Sequence, residues 1–320
     1  TFRTADVVGI DTLIKVAKGV YDNCPNDEAK DIFNIPAWLN KMVENNWLGD
    51  KTGQGFFKKV KTPEGKSDIQ VLNLQTMEYT ARQRPKFATL EAAKPIEDLP
   101  ARLKILINGT DKAGEFYRQF HYSLFSYISH RIPEISDEVY RLDDAMMAGF
   151  GWEIGAFESW DASGLAKTTE AMKAAGFTVA KWVDDMLAAG HNTFYKVENG
   201  KRLYYDIAGK TYKNLPGGDT FLVMKYFTNQ TIWKNSSSRV YHLGDDVLGL
   251  EWNTKMNSIG GEVLESIQKG ISLAEEKYKG LVIANESANF SAGANIGMIF
   301  MLAIEQDYDE IDFMIKAFQN

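Results

Sequence analysis

The stretch "FSAGAN" (290–295) follows an apolar run, "GLVIAN" (280–285), and precedes another, "NIGMIFMLAIEQ" (295–306). A strand that gives way to Ser-Ala-Gly-Ala before a helix presents little except backbone. Gly293 allows a backbone geometry that other residues resist, and Ala292 and Ala294 keep the turn clear of bulk. The Ala294 N–H is then available to a ligand oxygen, assisted by the helix N-terminus. Such a donor can stabilise an oxyanion, for instance on an acyl thioester whose carbonyl becomes an enolate. Close packing of strand on helix accounts for the same small residues, and spacing alone leaves both readings open. The spacing Gly293-x3-Gly297 matches neither Gly-x-Gly-x-x-Gly nor a phosphate-binding loop, which excludes a nucleotide-phosphate cradle at this turn.

Other chemistry-bearing residues are sparse. Cys24 stands alone and the four histidines are scattered with no i, i+4 pair, so neither an internal disulfide nor a cysteine-rich or helix-borne His-pair metal site is expected. The loop Lys51-Thr52-Gly53-Gln54-Gly55 reads as a glycine-rich turn. Asp6 and Asp161 read as helix caps, and Glu286, Glu305 and Glu310 as solvated charges. The aromatics Tyr117, Phe120, Tyr122, Phe125 and Tyr127 read as core or interface. With 36 basic and 43 acidic residues among 320, the net charge is −7, which argues against nucleic-acid binding. No apolar run reaches membrane-spanning length and no signal peptide opens the chain. Both point to the cytoplasm.

The elements that must position these residues begin with an internal repeat. "FRTADVVGI" (2–10) and "FESWDASGL" (157–165) share Phe-x3-Asp-x2-Gly, so Phe2, Asp6 and Gly9 match Phe157, Asp161 and Gly164. Downstream, Phe56-Phe57-Lys58 matches Phe194-Tyr195-Lys196. Two matched blocks in one order predict a duplicated helical unit. Helical periodicity covers 12–21, 37–45 after Pro36, and 99–132, with a break near Asn108-Gly109. A further helix starts at Ser136 as N-cap and ends at Gly149 and Gly151. "TPEGKS" (62–67) reads as a turn, and Asn199-Gly200 as a hairpin turn. Residues 238–243 and 247–252 read as strands, 258–278 as an amphipathic helix with Ile259, Val263, Ile267, Ile271 and Ala274 on one face, and 280–285 as a buried strand. Strand, helix, strand at this spacing is a right-handed β-α-β unit.

These motifs carry resemblances. "LEWNTKMNSIG" (250–260) followed by "KGLVIANESANFSAGANIGM" (279–298) resembles the first part of the enoyl-CoA hydratase (crotonase) fold. The resemblance implies that Ala294 supplies one of two oxyanion-hole amides. It also implies that Ala292, Gly293 and Ile296 line the acyl-CoA site, and that Lys255, Met256 and Asn257 run past the CoA adenine. The family often has Asp where this chain has Asn295. Upstream, "FRTADVVGIDT", "LGDKTGQGFFKK" and "RLDDAMMAGFGWEIGAFESWDASG" resemble the C-terminal helical domains of 3-hydroxyacyl-CoA dehydrogenases, with Gly155-Ala156-Phe157 in place of the usual Gly-Pro-Phe.

The order of the two resembles bacterial bifunctional β-oxidation enzymes. The expected fold is α+β. Residues 1–67 and 98–215 are expected to be duplicated, mostly helical units joined by a connector with short strands (68–97). A linker (216–235) then leads to a truncated α/β crotonase-like unit (236–320). The resemblance implies an internal fragment of a longer enzyme, with acyl-CoA as substrate, NAD as cofactor, no metal and a thiolase as partner. It places the NAD-binding domain before Thr1 and the catalytic glutamates after Asn320, so the chain alone is expected to be inactive. The alternative is a non-catalytic helical module that binds acyl-CoA or a protein.

Overall fold

The computed structural model describes residues 1–62, 65–218, 220–287 and 289–319. The turn expected at 62–67 and the boundary expected at 215–219 thus include residues outside the described ones. The chain divides into two compact units, Thr1–Arg118 and Gln119–Asn320.

In the first unit, α1 (Phe2–Val8) and α2 (Ile10–Asn23) meet at Gly9, whose φ of +106° suits glycine. Then come α3 (Ala37–Glu44), the strands β1 (Phe57–Lys61), β2 (Ser67–Asn73) and β3 (Glu78–Ala81), and the helices α4 (Ala88–Ala93) and α5 (Leu99–Asn108). The strands form one antiparallel meander, β1-β2-β3. The segment 68–97, expected as a connector with short strands, supplies nearly all of β2 and the whole of β3, which join β1 in the first unit's sheet. The core joins Ile10, Leu39, Met42, Phe56 and Leu72. Asp98 caps α5 by accepting from the Ala101 N–H at 2.8 Å. The helix α6 (Lys112–His130) begins after the expected break at Asn108-Gly109.

The second unit continues with α7 (Val139–Phe150), α8 (Ala156–Ser163), α9 (Leu165–Ala174) and α10 (Lys181–Ala188). Glu138, not Ser136, is the N-cap of α7. Gly149 lies inside the helix, and Gly151 ends it at a φ of +65°. A second meander follows, β4 (Tyr195–Glu198), β5 (Lys201–Asp206) and β6 (Thr211–Asn214). Its β4–β5 turn is Asn199-Gly200, both at positive φ, as a two-residue hairpin requires. The α8 and α10 region packs on aromatics, with Phe125 stacked on Trp160 at 5.0 Å and Phe157 edge-on to Phe194 at 4.9 Å.

The final sheet runs β10-β9-β8-β7. Its members are β7 (Thr231–Lys234), β8 (Ser238–Gly244), β9 (Val247–Trp252) and β10 (Gly280–Ile283), with α11 (Gly261–Lys277) between β9 and β10. β7 comes from the segment expected to be a linker. β10 pairs parallel to β9. The expected buried strand is instead the sheet edge, with Val282 and Ile283 47% and 38% exposed. Val263 of α11 is buried on Val240, Leu248 and Leu250, whereas Ile271, expected on the same face, is exposed. The chain closes with α12 (Ile296–Glu305) and α13 (Tyr308–Gln319).

The two repeats are built alike, within their own units. Asp6 accepts the Phe56 and Phe57 N–H groups at 2.7 and 2.9 Å, and Asp161 accepts those of Phe194 and Tyr195 at 2.8 and 2.9 Å. Neither aspartate caps a helix as expected. Each clamps the entry of a meander, because a carboxylate has two oxygens for two consecutive donors. The likeness extends beyond the matched sequence blocks. The Tyr79 hydroxyl donates to the Gly55 carbonyl and the Tyr212 hydroxyl to the Thr193 carbonyl, each at 2.6 Å. The Leu72 and Tyr205 N–H groups donate to the carbonyls of Phe56 and Phe194.

Candidate functional site

The loop after β9 and the turn after β10 are tied together by hydrogen bonds. Asn285, just beyond β10, accepts the Trp252 N–H at 3.0 Å and donates to the Phe290 carbonyl at 2.7 Å. Asn257 is buried; its side-chain amide donates to the Asn289 carbonyl, and its own carbonyl accepts from Trp252 Nε1 and Ser291 Oγ. The Ala292 N–H donates to the Met256 carbonyl at 3.1 Å. Met256 and Asn257 stand at φ of +55° and +53°. Asparagine tolerates this region, but methionine there is a strained backbone held by its surroundings.

Ile259 pairs with Ala294 as a parallel bridge: the Ile259 N–H donates to the Gly293 carbonyl at 2.8 Å, and the Asn295 N–H to the Ile259 carbonyl at 3.1 Å. In that pattern the flanking residues make the bonds, so the Ala294 N–H points away from Ile259. Among the described residues no oxygen accepts it. Gly293 takes a φ of +87°, and its N–H donates to Ser291 Oγ. Asn295 caps α12, accepting the Gly297 N–H at 3.1 Å. Asn and Asp are comparable N-caps, so the departure from the expected Asp leaves the cap intact.

Ala294 lines an apolar cavity of ≈ 290 Å³, together with Ile259, Leu264, Ile299, Ile311 and Phe318. Ala292, Lys255, Met256 and Ile296 are all exposed, Ile296 at 76%. The structure thus brings the segments 255–257 and 291–296 side by side. Of these residues only Asn257 has its side chain buried and committed to a neighbouring carbonyl.

Glu286, read from sequence as a solvated charge, is exposed, and its carboxylate accepts the Met224 N–H. Partial burial of that carboxyl pushes it above the usual range, and Glu251 adds to the shift. The Tyr241 hydroxyl, which donates to Glu251 at 3.0 Å, is pushed up to about 12, chiefly by burial. No spacing in the sequence marks this group, because its members come from β8, β9, the chain after β10 and the backbone of Met224. Among the described residues no three His, Cys, Asp or Glu side chains gather where they could hold a metal ion, and no helix is long and apolar enough to cross a membrane.

Residues 1–59 match the family model for the 3-hydroxyacyl-CoA dehydrogenase C-terminal domain. Across 321 aligned residues the chain is 41% identical to a probable 3-hydroxyacyl-CoA dehydrogenase of Bacillus subtilis, covering 100% of this chain and 40% of that relative. It is 23% identical to a putative fatty acid oxidation complex trifunctional enzyme of Rickettsia prowazekii, covering 99% of this chain and 40% of the relative. A probable 3-hydroxyacyl-CoA dehydrogenase of Deinococcus radiodurans is 43% identical over 61 residues, 19% of this chain and 17% of that relative. The chain spans about 40% of the length of the curated relatives that it matches throughout.

Proposed function

We propose that this chain belongs to the working body of a β-oxidation 3-hydroxyacyl-CoA dehydrogenase, with an enoyl-CoA hydratase step served by the Ala294 turn. The observation that carries the dehydrogenase half is the match of residues 1–59 to that family's C-terminal domain, supported by likeness over the whole chain. The hydratase half rests on the Ala294 N–H, which has no acceptor among the described residues and lies beside an apolar cavity.

In this reading the thioester carbonyl accepts from the Ala294 N–H. Water adds across the C2=C3 double bond, hydroxyl to C3 and proton to C2. Negative charge gathers on the carbonyl oxygen on the way, and the N–H with the N-terminus of α12 stabilises it. The acyl tail lies in the cavity, the exposed Lys255 ammonium faces a CoA phosphate, and Met256 lies against the adenine. NAD in the whole protein would take the hydride from C3 of the hydroxyacyl group. The residues here do not fit it, since this sequence carries no Gly-x-Gly-x-x-Gly turn. No step on this chain is therefore routed through it. Cytoplasmic work beside a thiolase belongs to the same proposal, in keeping with relatives described as complex enzymes.

The test is titration of the purified chain with crotonyl-CoA, read by the fluorescence of Trp252, which meets Phe290 edge-on at 5.4 Å. Saturable binding that Ala294→Pro abolishes and Gly293→Ala weakens is the expected result. Binding unchanged by Ala294→Pro removes the site. With NAD and 3-hydroxybutyryl-CoA the chain alone is expected to show no turnover.

A further inference from the structure

The two meanders differ in charge pairing. Residues 57–86 contain seven Lys or Arg and three Asp or Glu, in a chain whose net charge is −7. Residues 195–214 contain five and two. In the second meander three of the five cations are matched: Lys196 with Glu198 at 3.0 Å, Lys213 with Asp206 at 2.6 Å, and Arg202 with Glu158. In the first, Lys59, Lys61, Lys66, Arg82, Arg84 and Lys86 are exposed and make no ion pair among the described residues.

The strand register arranges them. Lys59 stands opposite Ile69 and Lys61 opposite Ser67, so period-two alternation puts these four on one face. Ile69 is 44% exposed there. The opposite face carries the buried Leu72, with Tyr79 under Lys58.

We propose that the outer face of the β1–β2–β3 meander docks on an anionic lipid surface. Two exposed lysines on a sheet face beside an exposed aliphatic side chain, with four more cations along the same meander and no ion pair among the described residues, match headgroup phosphates with an acyl boundary beneath. A single-stranded nucleic acid would call for exposed aromatics to stack its bases. Phe57 and Tyr79, the aromatics of these strands, are half-buried and packed against the core, Phe57 at the end of the face that carries Lys59, so neither offers an open ring. Lys59 and Lys61 stand on the face, Lys66 just before β2, and Arg82, Arg84 and Lys86 in the chain after β3, so the charge is distributed along the meander.

Co-sedimentation of the chain with vesicles tests the proposal. Phosphatidylcholine vesicles containing phosphatidylglycerol are expected to carry the chain down at low salt, and pure phosphatidylcholine vesicles are not. Raising the salt releases it. Lys59→Gln with Lys61→Gln lowers partitioning by roughly fivefold per charge, about twentyfold for the pair, and Ile69→Ser lowers it further. Lys196→Gln with Lys213→Gln, the same change in charge on the second meander, leaves partitioning unchanged. Far-UV circular dichroism shows that the variants are folded. The proposal is overturned by equal binding to both vesicle types, by equal losses in the two double variants, or by binding to a single-stranded oligonucleotide in place of vesicles.

Discussion

Asp6 and Asp161 hold the same two consecutive N–H groups of their repeats, yet their surroundings differ. Asp6 is 1% exposed and pressed upon by glycines: a Cβ at Gly49 would lie 2.1 Å from its carbonyl oxygen, and one at Gly55 2.2 Å from its Oδ1. Asp161 shares its neighbourhood with a second acid. Asp143, also 1% exposed, accepts the Phe157 and Glu158 N–H groups and the Tyr195 hydroxyl. Burial pushes both Asp143 and Asp161 up to about 7 against the pull of their donors, and Asp143 adds to the rise at Asp161. Tyr195 is also raised, first by burial and then by Asp143. One clamp has thus been kept in two settings, a tight backbone cradle and a cluster of acids. A job shared by two side chains therefore does not fix what surrounds them.

The largest effect expected is on the first clamp. Asp6→Ala leaves the Phe56 and Phe57 N–H groups without an acceptor, at about 1–3 kcal/mol each. Asp161→Ala orphans two groups as well, but it also relieves repulsion with Asp143. Amide hydrogen exchange in each unit should show the greater loss of protection for Asp6→Ala. Equal losses would break the contrast.

The second expectation concerns pH. A carboxyl whose folded pKa is raised from 3.8 to about 7 stabilises the fold fully below pH ~4, and that stability is lost as pH rises through ~7. The melting temperature of the second unit should fall from pH 5 to pH 8, by an amount equivalent to about 2–3 kcal/mol for each of the two carboxyls. Asp143→Asn should flatten that slope while lowering stability throughout, because an amide nitrogen then faces a backbone N–H. A slope of the opposite sign would remove the acid-cluster account.

The smallest effect belongs to the surface. Arg3 and Asp50 pair at 2.6 Å with side chains 63% and 48% exposed. Arg3→Ala should cost no more than about 1 kcal/mol, measured by urea unfolding of the first unit. A larger loss would mean that the tightness around Asp6 reaches the solvent.

The repeat itself was legible because Phe, Asp and Gly recur at fixed spacing within one helix and its turn. What the aspartates do was not legible. Their partners are backbone groups 50 and 33 residues away in the chain, and a backbone donor leaves no mark in a sequence. The correspondence of Tyr79 with Tyr212 was hidden by loops of unequal length. The strands β6 and β7 escaped notice because four mixed residues, "TYKN" and "TIWK", are too few to show alternation. The turn at Ala294 was read in the right place, since glycine and alanine between two apolar runs mark a break. The strain at Met256 was not, because nothing in the residue type announces a left-handed backbone. The bond that Glu286 accepts was not legible either, because a single acid in a loop carries no sign of the amide that will meet it.

β10 is four apolar residues at the outside of its sheet, paired on one side only. An open strand edge is a template for another chain's backbone. Two molecules that meet there extend the ladder at about 4.8 Å per added strand, and this growth depends on concentration rather than on unfolding. The shelf life of concentrated solutions of this protein is therefore expected to depend on these four residues. A lysine at Val282 should lengthen it without altering the melting temperature of either repeat.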